Sequence, residues 1–239
     1  YRRGPAGLVE ISTAIARGFV ETQRAVADVL GERAAFVHVD ASMRYAGDID
    51  APEHRETAER YRHQAFLVED LVTGGVGAEH PLPPLLRTHG TSDETLAWFA
   101  ENAVQPDVMG VNYYPRHSTE LFESGIHHAG GFADPRPTRD DGVEGLAEML
   151  RTYATRYGAP VMLAETCVTD DVATRLRWLD ASVATVQGLR ADGVDVVGYT
   201  WWPLFDMYEW TYRHSDEPRS AHLLTMGLHD LVETETGLA

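Results

Sequence analysis

Only one cysteine, Cys167, occurs in the 239 residues. A lone thiol cannot form an internal disulfide, so the chain relies on its packed core and fits a reducing, cytoplasmic setting. No run approaches the roughly 20 consecutive apolar residues that a membrane-crossing helix requires, and no membrane partner is expected. The opening stretch, YRRGPAGLVE, lacks the apolar segment of a signal peptide. It also lacks an initiating methionine, which raises the expectation that a longer protein precedes Tyr1. Positive charge is scarce: the 20 basic residues are scattered arginines against 37 acids, for a formal charge of −17. That balance argues against binding a phosphate backbone, so no nucleic-acid partner is expected. No Gly-x-Ser-x-Gly is present, which excludes a hydrolase built on a serine elbow. The eleven histidines, His127–His128 among them, show no metal-ligand spacing, so surface and core roles are favoured. Neither a metal nor another cofactor is expected.

With 44% hydrophobic residues the chain can bury a sizeable core, and without a linker or repeat it is expected to form a single domain over 1–239. Residues 6–30 place Leu8, Ile11, Ile15, Phe19, Val26 and Val29 near helical spacing, with Gly31 as a stop. AAFVHVDA (34–41) is a short apolar strand. A helix is predicted over 52–72, with Tyr61, Ala65, Phe66, Leu67 and Leu71 inward. An irregular segment rich in glycine and proline follows at 73–86. Ser92 is an N-cap candidate for a helix over 92–102. A strand at 106–114 and a long polar loop at 115–141 follow. Next come a helix over 143–158 and a strand at 159–165. A helix over 171–193, with Leu176, Leu179, Val183 and Val186 on one side, leads into a strand at 194–202. Short apolar strands separated by helices predict a parallel sheet covered on both sides, hence an α/β class. Polar and aromatic residues follow the strands: Asp40, Asn112–Tyr114, Glu165 and Trp201–Trp202. Such a rim serves a (β/α)8 barrel or an open doubly wound sheet, and periodicity does not separate the two.

GYTWWPLFDMYEW (198–210) resembles the eighth strand and following loop of glycoside hydrolase family 1, the β-glucosidase family. Gly198, Tyr199, Trp202, Leu204, Asp206, Glu209 and Trp210 fall in register with its Gly-Tyr-x-x-Trp-Ser-Leu-x-Asp-Asn-x-Glu-Trp pattern. VMLAETC (161–167) is similar to the nucleophile strand, with Glu165 in the nucleophile's place. DVMGVNYY (107–114) is similar to the sixth strand, DDVATRLRWL (170–179) to the stretch after the nucleophile, and MGLHDL (226–231) to the closing segment. Thr166–Cys167 stand where the family has Asn-Gly, Pro203 where it has Ser, and Met207 where it has Asn. These departures suggest a divergent branch.

The resemblance implies a (β/α)8 TIM-barrel type fold of which this chain carries the second half, strands five to eight. It implies a retaining glycosidase of carbohydrate metabolism acting on a carbohydrate substrate. Glu165 would be the nucleophile, with Tyr114 donating its hydroxyl to it. Asn112, Trp202, Glu209 and Trp210 would bind the sugar. The family's acid/base lies in an Asn-Glu-Pro motif, yet the only asparagines are Asn102 and Asn112, and neither precedes Glu. A preceding half or an oligomer partner is therefore expected to close the barrel, since a half barrel leaves sheet edges open. Structural readings stand beside these: Glu165 as a carboxylate paired with arginine, the tryptophans as packing, Asn112 as a turn cap, Asp40 as a structural acid and Cys167 as a small rim residue. A non-catalytic carbohydrate-binding remnant, or a glycosidase-like domain of a sugar-nucleotide pathway protein, is the alternative function.

Overall fold

The computed structural model describes residues 4–122, 137–234 and 237–238, so His127–His128 lie outside the described residues. Four parallel strands form the main sheet: β1 (Val37–Ala41), β3 (Val108–Asn112), β5 (Val161–Glu165) and β6 (Val196–Tyr199), adjacent in that order. Between β1 and β3 the chain runs through β2 (Arg44–Gly47), α2 (Arg55–Gln64), α3 (Leu67–Val72), α4 (Pro83–Thr88) and α5 (Asp93–Asn102). β4 (Thr119–Phe122) and α6 (Gly142–Tyr157) connect β3 to β5, and α7 (Val172–Ala191) connects β5 to β6. The helix α1 (Pro5–Leu30) precedes the sheet. Short pairs β7 (Met207–Tyr208) with β8 (Leu223–Leu224), and β9 (Glu233–Thr234) with β10 (Gly237–Leu238), complete the order. The class is α/β with a parallel sheet; the described strands do not close into a barrel.

Helices pack on one face of this sheet. Met109, Val111, Tyr113 and Leu163 alternate inward against Leu146, Leu150 and Tyr153 of α6 and Trp178 and Leu189 of α7. Strand geometry sends the intervening side chains to the opposite face, where Val37, Val39 and Val197 are 45–52% exposed. The cover on both sides expected from the apolar strands is therefore absent among the described residues. A second core joins α1, α3, α4 and α5 through Val20, Leu71, Leu86 and Phe99. Between the two lies a buried polar layer. His38 Nδ1 meets Glu69 at 2.7 Å and its Nε2 meets Gln23 at 2.6 Å. Asp70 accepts from Arg156 Nε at 2.8 Å and Tyr157 Oη at 3.1 Å, and Asp40 accepts from Tyr153 Oη at 2.6 Å.

Local departures from expectation have physical causes. In α1 the face packed on α3 is made of small or slender residues, Val9, Ser12, Ala16 and Val20. Leu8, Ile11, Ile15 and Val29 point away from that contact and are 37–76% exposed. The helix expected over 52–72 breaks at Ala65–Phe66, which lets the Phe66 ring approach Tyr153 at 5.2 Å between centroids. The segment expected to be irregular holds α4, opened by Pro83 and Pro84, because a proline in the first turn forfeits no helical hydrogen bond. The loop expected over 115–141 contains β4, which pairs in parallel with β2. Gly47 ends β2 at φ 80°, and a Cβ there would stand 2.4 Å from the Phe122 carbonyl oxygen, so the pairing requires glycine. On α7 the buried stripe is Arg175, Trp178, Ser182, Val186 and Leu189, while Leu176, expected inward, is 54% exposed. No helix among the described residues is long and apolar enough to cross a membrane.

Candidate active site at the strand ends

Parallel strands place all their C-terminal ends on one rim. There the register pairs Asn112, the last residue of β3, with Glu165, the last of β5, across a shift that follows Val111. The next backbone bond runs from Tyr113 N–H to the Glu165 carbonyl at 2.9 Å. Alternation buries Tyr113 completely and leaves its neighbour Tyr114 on the rim side. From there the Tyr114 hydroxyl donates to Glu165 Oε2 at 2.6 Å. Burial, followed by this bond and the Glu165 charge, pushes the Tyr114 phenol far above its ordinary range, so it remains a donor. The side-chain partner of Glu165 among the described residues is this phenol rather than an arginine. Asn112 Oδ1 is buried with no hydrogen-bond partner. A native buried acceptor left in that state needs an explanation, such as a ligand donor.

Behind Glu165 the chain is held firmly. Thr166 is fully buried, and its Oγ1 accepts from Trp178 Nε1 at 3.0 Å. The Thr166 carbonyl accepts from Trp202 N–H at 3.2 Å, which ties the loop after β6 to the residue following Glu165. Cys167 is 3% exposed, and burial, with the nearby Glu165 charge, pushes its thiol up to about 12. Trp202 itself is 39% exposed on the rim. Its loop is anchored by Asp206, which is 3% exposed. Asp206 Oδ1 accepts from Met226 N–H and Gly227 N–H, both at 2.8 Å, and Oδ2 from Leu231 N–H at 3.2 Å. Arg175 of α7 lies 3.5 Å from the same carboxylate and also binds Asp230 and the Gly227 carbonyl.

Glu209 and Trp210 follow β7 and are exposed, Trp210 at 73%. No hydrogen bond or ion pair joins either to Glu165 among the described residues; both stand further along the loop that Asp206 anchors. The structure thus brings Asn112, Tyr114, Glu165 and the Trp202 backbone together, and among the described residues no hydrogen bond or ion pair links Glu209 or Trp210 to them. The Trp178–Thr166 bond was not anticipated from the sequence: the spacing of Arg175, Trp178 and Ser182 shows that they share a helix face but not what that face meets. Nor was the packing of His222 beside Glu209.

No family model matches the chain. A β-galactosidase of Sulfolobus acidocaldarius is 36% identical over an alignment of 120 residues, with 44% of this chain and 24% of that protein covered. A β-galactosidase of Saccharolobus solfataricus is 34% identical over 119 residues, with the same shares. Among solved structures, the family 1 β-glucosidase of Thermotoga maritima superposes with a TM-score of 0.69 at 16% identity. That superposition covers 95% of this chain and 52% of the enzyme. The chain is similar to family 1 glycoside hydrolases. At that identity the superposition establishes the fold, and the glycosidase likeness in sequence rests on the archaeal β-galactosidases. The matched stretch is about a quarter of those relatives, and the chain spans about half of the solved β-glucosidase.

Proposed function

We propose that this chain carries the nucleophile side of a retaining β-glycosidase site, with Glu165 as nucleophile and a carbohydrate as substrate. The observation that carries the reading is the 2.6 Å hydrogen bond from Tyr114 to Glu165 Oε2 at the ends of adjacent parallel strands. A retaining glycosidase needs two carboxyl groups roughly 5–5.5 Å apart. One carboxylate attacks the anomeric carbon; the other protonates the leaving oxygen and then activates water. Tyr114 holds one Glu165 oxygen, fixing the plane of the carboxylate so that the other oxygen is free to attack. The unsatisfied Oδ1 of Asn112 accepts from a sugar hydroxyl. Trp202 and Trp210 present indole faces to the apolar side of a sugar ring, and Glu209 binds hydroxyls through charge-assisted hydrogen bonds. The Thermotoga maritima β-glucosidase, whose fold this chain shares in part, has been solved with glucoimidazole.

The acid/base comes from outside this chain in the proposed assembly. Support lies in the four-stranded sheet, whose outer edges at β1 and β6 have no strand partner among the described residues. Further support is the open groove of about 340 Å³ along β1, lined by Phe19, Val26, Phe36 and Val37. The exposed Val37, Val39 and Val197 give the uncovered face the apolar character of a core. We propose that these strands are the second half of a (β/α)8 barrel closed by four more, from a preceding half or a partner chain. In that assembly Glu165→Gln removes turnover of an aryl β-glycoside by on the order of a thousandfold or more and leaves sugar binding intact. Unchanged turnover contradicts the assignment. A second reading, a carbohydrate-binding remnant, is favoured by the buried Thr166–Cys167 pair that stands where the family has Asn-Gly. It predicts sugar binding with no turnover in either protein.

A further inference from the structure

Val161 and Leu163 of β5 are fully buried in the core beneath the sheet, facing the helices. Strict alternation along the strand would send Glu165 to that side as well. It does not go there, because the register of β3 against β5 shifts: Val111 pairs with Leu163, and the next residue, Asn112, pairs with Glu165. Ala164 is the extra residue on β5. A bulge of this kind turns over every side chain that follows it. Glu165 is thereby aimed at the rim, and Thr166 takes the helix side in its place. A slip that removed the bulge would bury the carboxylate among the helices.

The contacts that hold the bulge open converge on Thr166. Its side chain is fully buried, and Oγ1 accepts from Trp178 Nε1 of α7 at 3.0 Å. Its carbonyl accepts from Trp202 N–H at 3.2 Å, and the Glu165 carbonyl accepts from Tyr113 N–H at 2.9 Å. Trp178 is 7% exposed, and its ring lies 6.3 Å from that of Tyr113. The helix thus reaches both members of the Tyr114–Glu165 pair through the residue next to each. One turn earlier on the same face, Arg175 binds the Gly227 carbonyl and Asp230 and holds the loop that carries Trp202. A buried indole N–H and a buried hydroxyl that satisfy one another add little net stability, since water satisfies both in the unfolded chain. What the bond adds is a fixed direction.

We propose that Thr166 and Trp178 are positioning residues for the nucleophile: their bond locks the bulge that aims Glu165 at the anomeric carbon, and neither residue touches the sugar. The proposal rests on the reading of Glu165 as nucleophile given above and assigns the α7 face to the bond-forming step. A displacement of about 1 Å at a reacting atom costs about a hundredfold in rate.

The test compares Thr166→Val, Trp178→Phe, the two combined, and Thr166→Ser in the assembled protein. A 2-deoxy-2-fluoro-β-glucoside with an activated leaving group gives the trapping rate at saturation and, separately, the affinity. Urea unfolding gives stability. Each of the first two substitutions strands one buried polar group and lowers the urea midpoint. The combined variant removes both groups and recovers most of the midpoint. The bond is absent from all three, so their saturated trapping rates are expected about 10- to 100-fold below wild type, the combined variant included, with affinity nearly unchanged. Thr166→Ser keeps the acceptor and is expected to recover most of the rate. A combined variant that traps at the wild-type rate, or rates that follow the urea midpoint across the set, overturns the positioning role and leaves Glu165 as nucleophile. Thr166→Ser as slow as Thr166→Val overturns it too. No adduct in the wild type overturns the nucleophile reading, and this proposal with it.

Discussion

Replacing Asp40 by asparagine should make this protein more stable at neutral pH. Asp40 lies on β1 with its carboxylate turned toward the helices, where Tyr153 donates to Oδ2 at 2.6 Å. Burial is the largest influence on it, the Tyr153 bond offsets part of that, and the charges of Glu69 and Asp70 add to the burial. Together they raise its pKa from 3.8 to about 6. The sign follows from which state holds the proton. Between about pH 4 and pH 6 the folded chain keeps a proton that the unfolded chain has released, so stability declines as pH rises through that window. At about 1.36 kcal/mol per pH unit, the decline from this group is at most about 3 kcal/mol. Asparagine retains an acceptor for Tyr153 and carries no charge to desolvate. Urea unfolding followed by circular dichroism from pH 3.5 to 8 should therefore show Asp40→Asn and wild type nearly equal at the acid end. By pH 7 the variant should lead by about 1–3 kcal/mol. A variant that is less stable at pH 7, or a difference that does not change with pH, refutes the assignment of a buried, proton-retaining carboxyl.

Two further outcomes follow from the rim. Asp206→Ala strands the Met226, Gly227 and Leu231 N–H groups and leaves the buried Arg175 guanidinium with Asp230 as its remaining carboxylate, and should cost about 3–5 kcal/mol. A loss under about 1 kcal/mol by urea unfolding contradicts the anchoring role. Tyr114→Phe removes one hydrogen bond to a charged carboxylate, an interaction worth roughly 1.5–3 kcal/mol. If the proposed glycosidase assembly is right, its kcat should drop about 10- to 100-fold with sugar affinity nearly unchanged. An equal loss of affinity would show that the phenol binds substrate rather than Glu165.

Where a local residue type dictates local geometry, the fold was legible. Ser92 accepts from Thr95 N–H at 3.2 Å as the expected N-cap, and Gly158 ends α6 at φ 64°. The parallel order of the apolar strands also follows from their pattern. What covers them does not, because an apolar run records a tendency to be buried without naming a partner. Val39 and Leu163 look alike in sequence, yet one is 51% exposed and the other fully buried. The same limit applies to α1, where Ile15 is hydrophobic and outward while Ser12 is polar and 5% exposed. At the rim, the nearness of Tyr114 and Glu165 was implied by family resemblance, since 51 residues separate them along the chain. The Trp178–Thr166 bond and the placement of His222 arise from how α7 and the loop after β7 pack, and no local periodicity encodes either.

The central claim is that Glu165 forms a bond to an anomeric carbon. It is tested most directly by incubating the assembled protein with a 2-deoxy-2-fluoro-β-glucoside bearing an activated leaving group, then mapping peptide masses. The fluorine slows turnover of the glycosyl-enzyme, and the activated leaving group departs without an acid. The account predicts a single adduct on the peptide containing residues 161–171, located at Glu165 and absent in Glu165→Gln. An adduct on another carboxylate, or none while the unfluorinated glycoside is still hydrolysed, would contradict it.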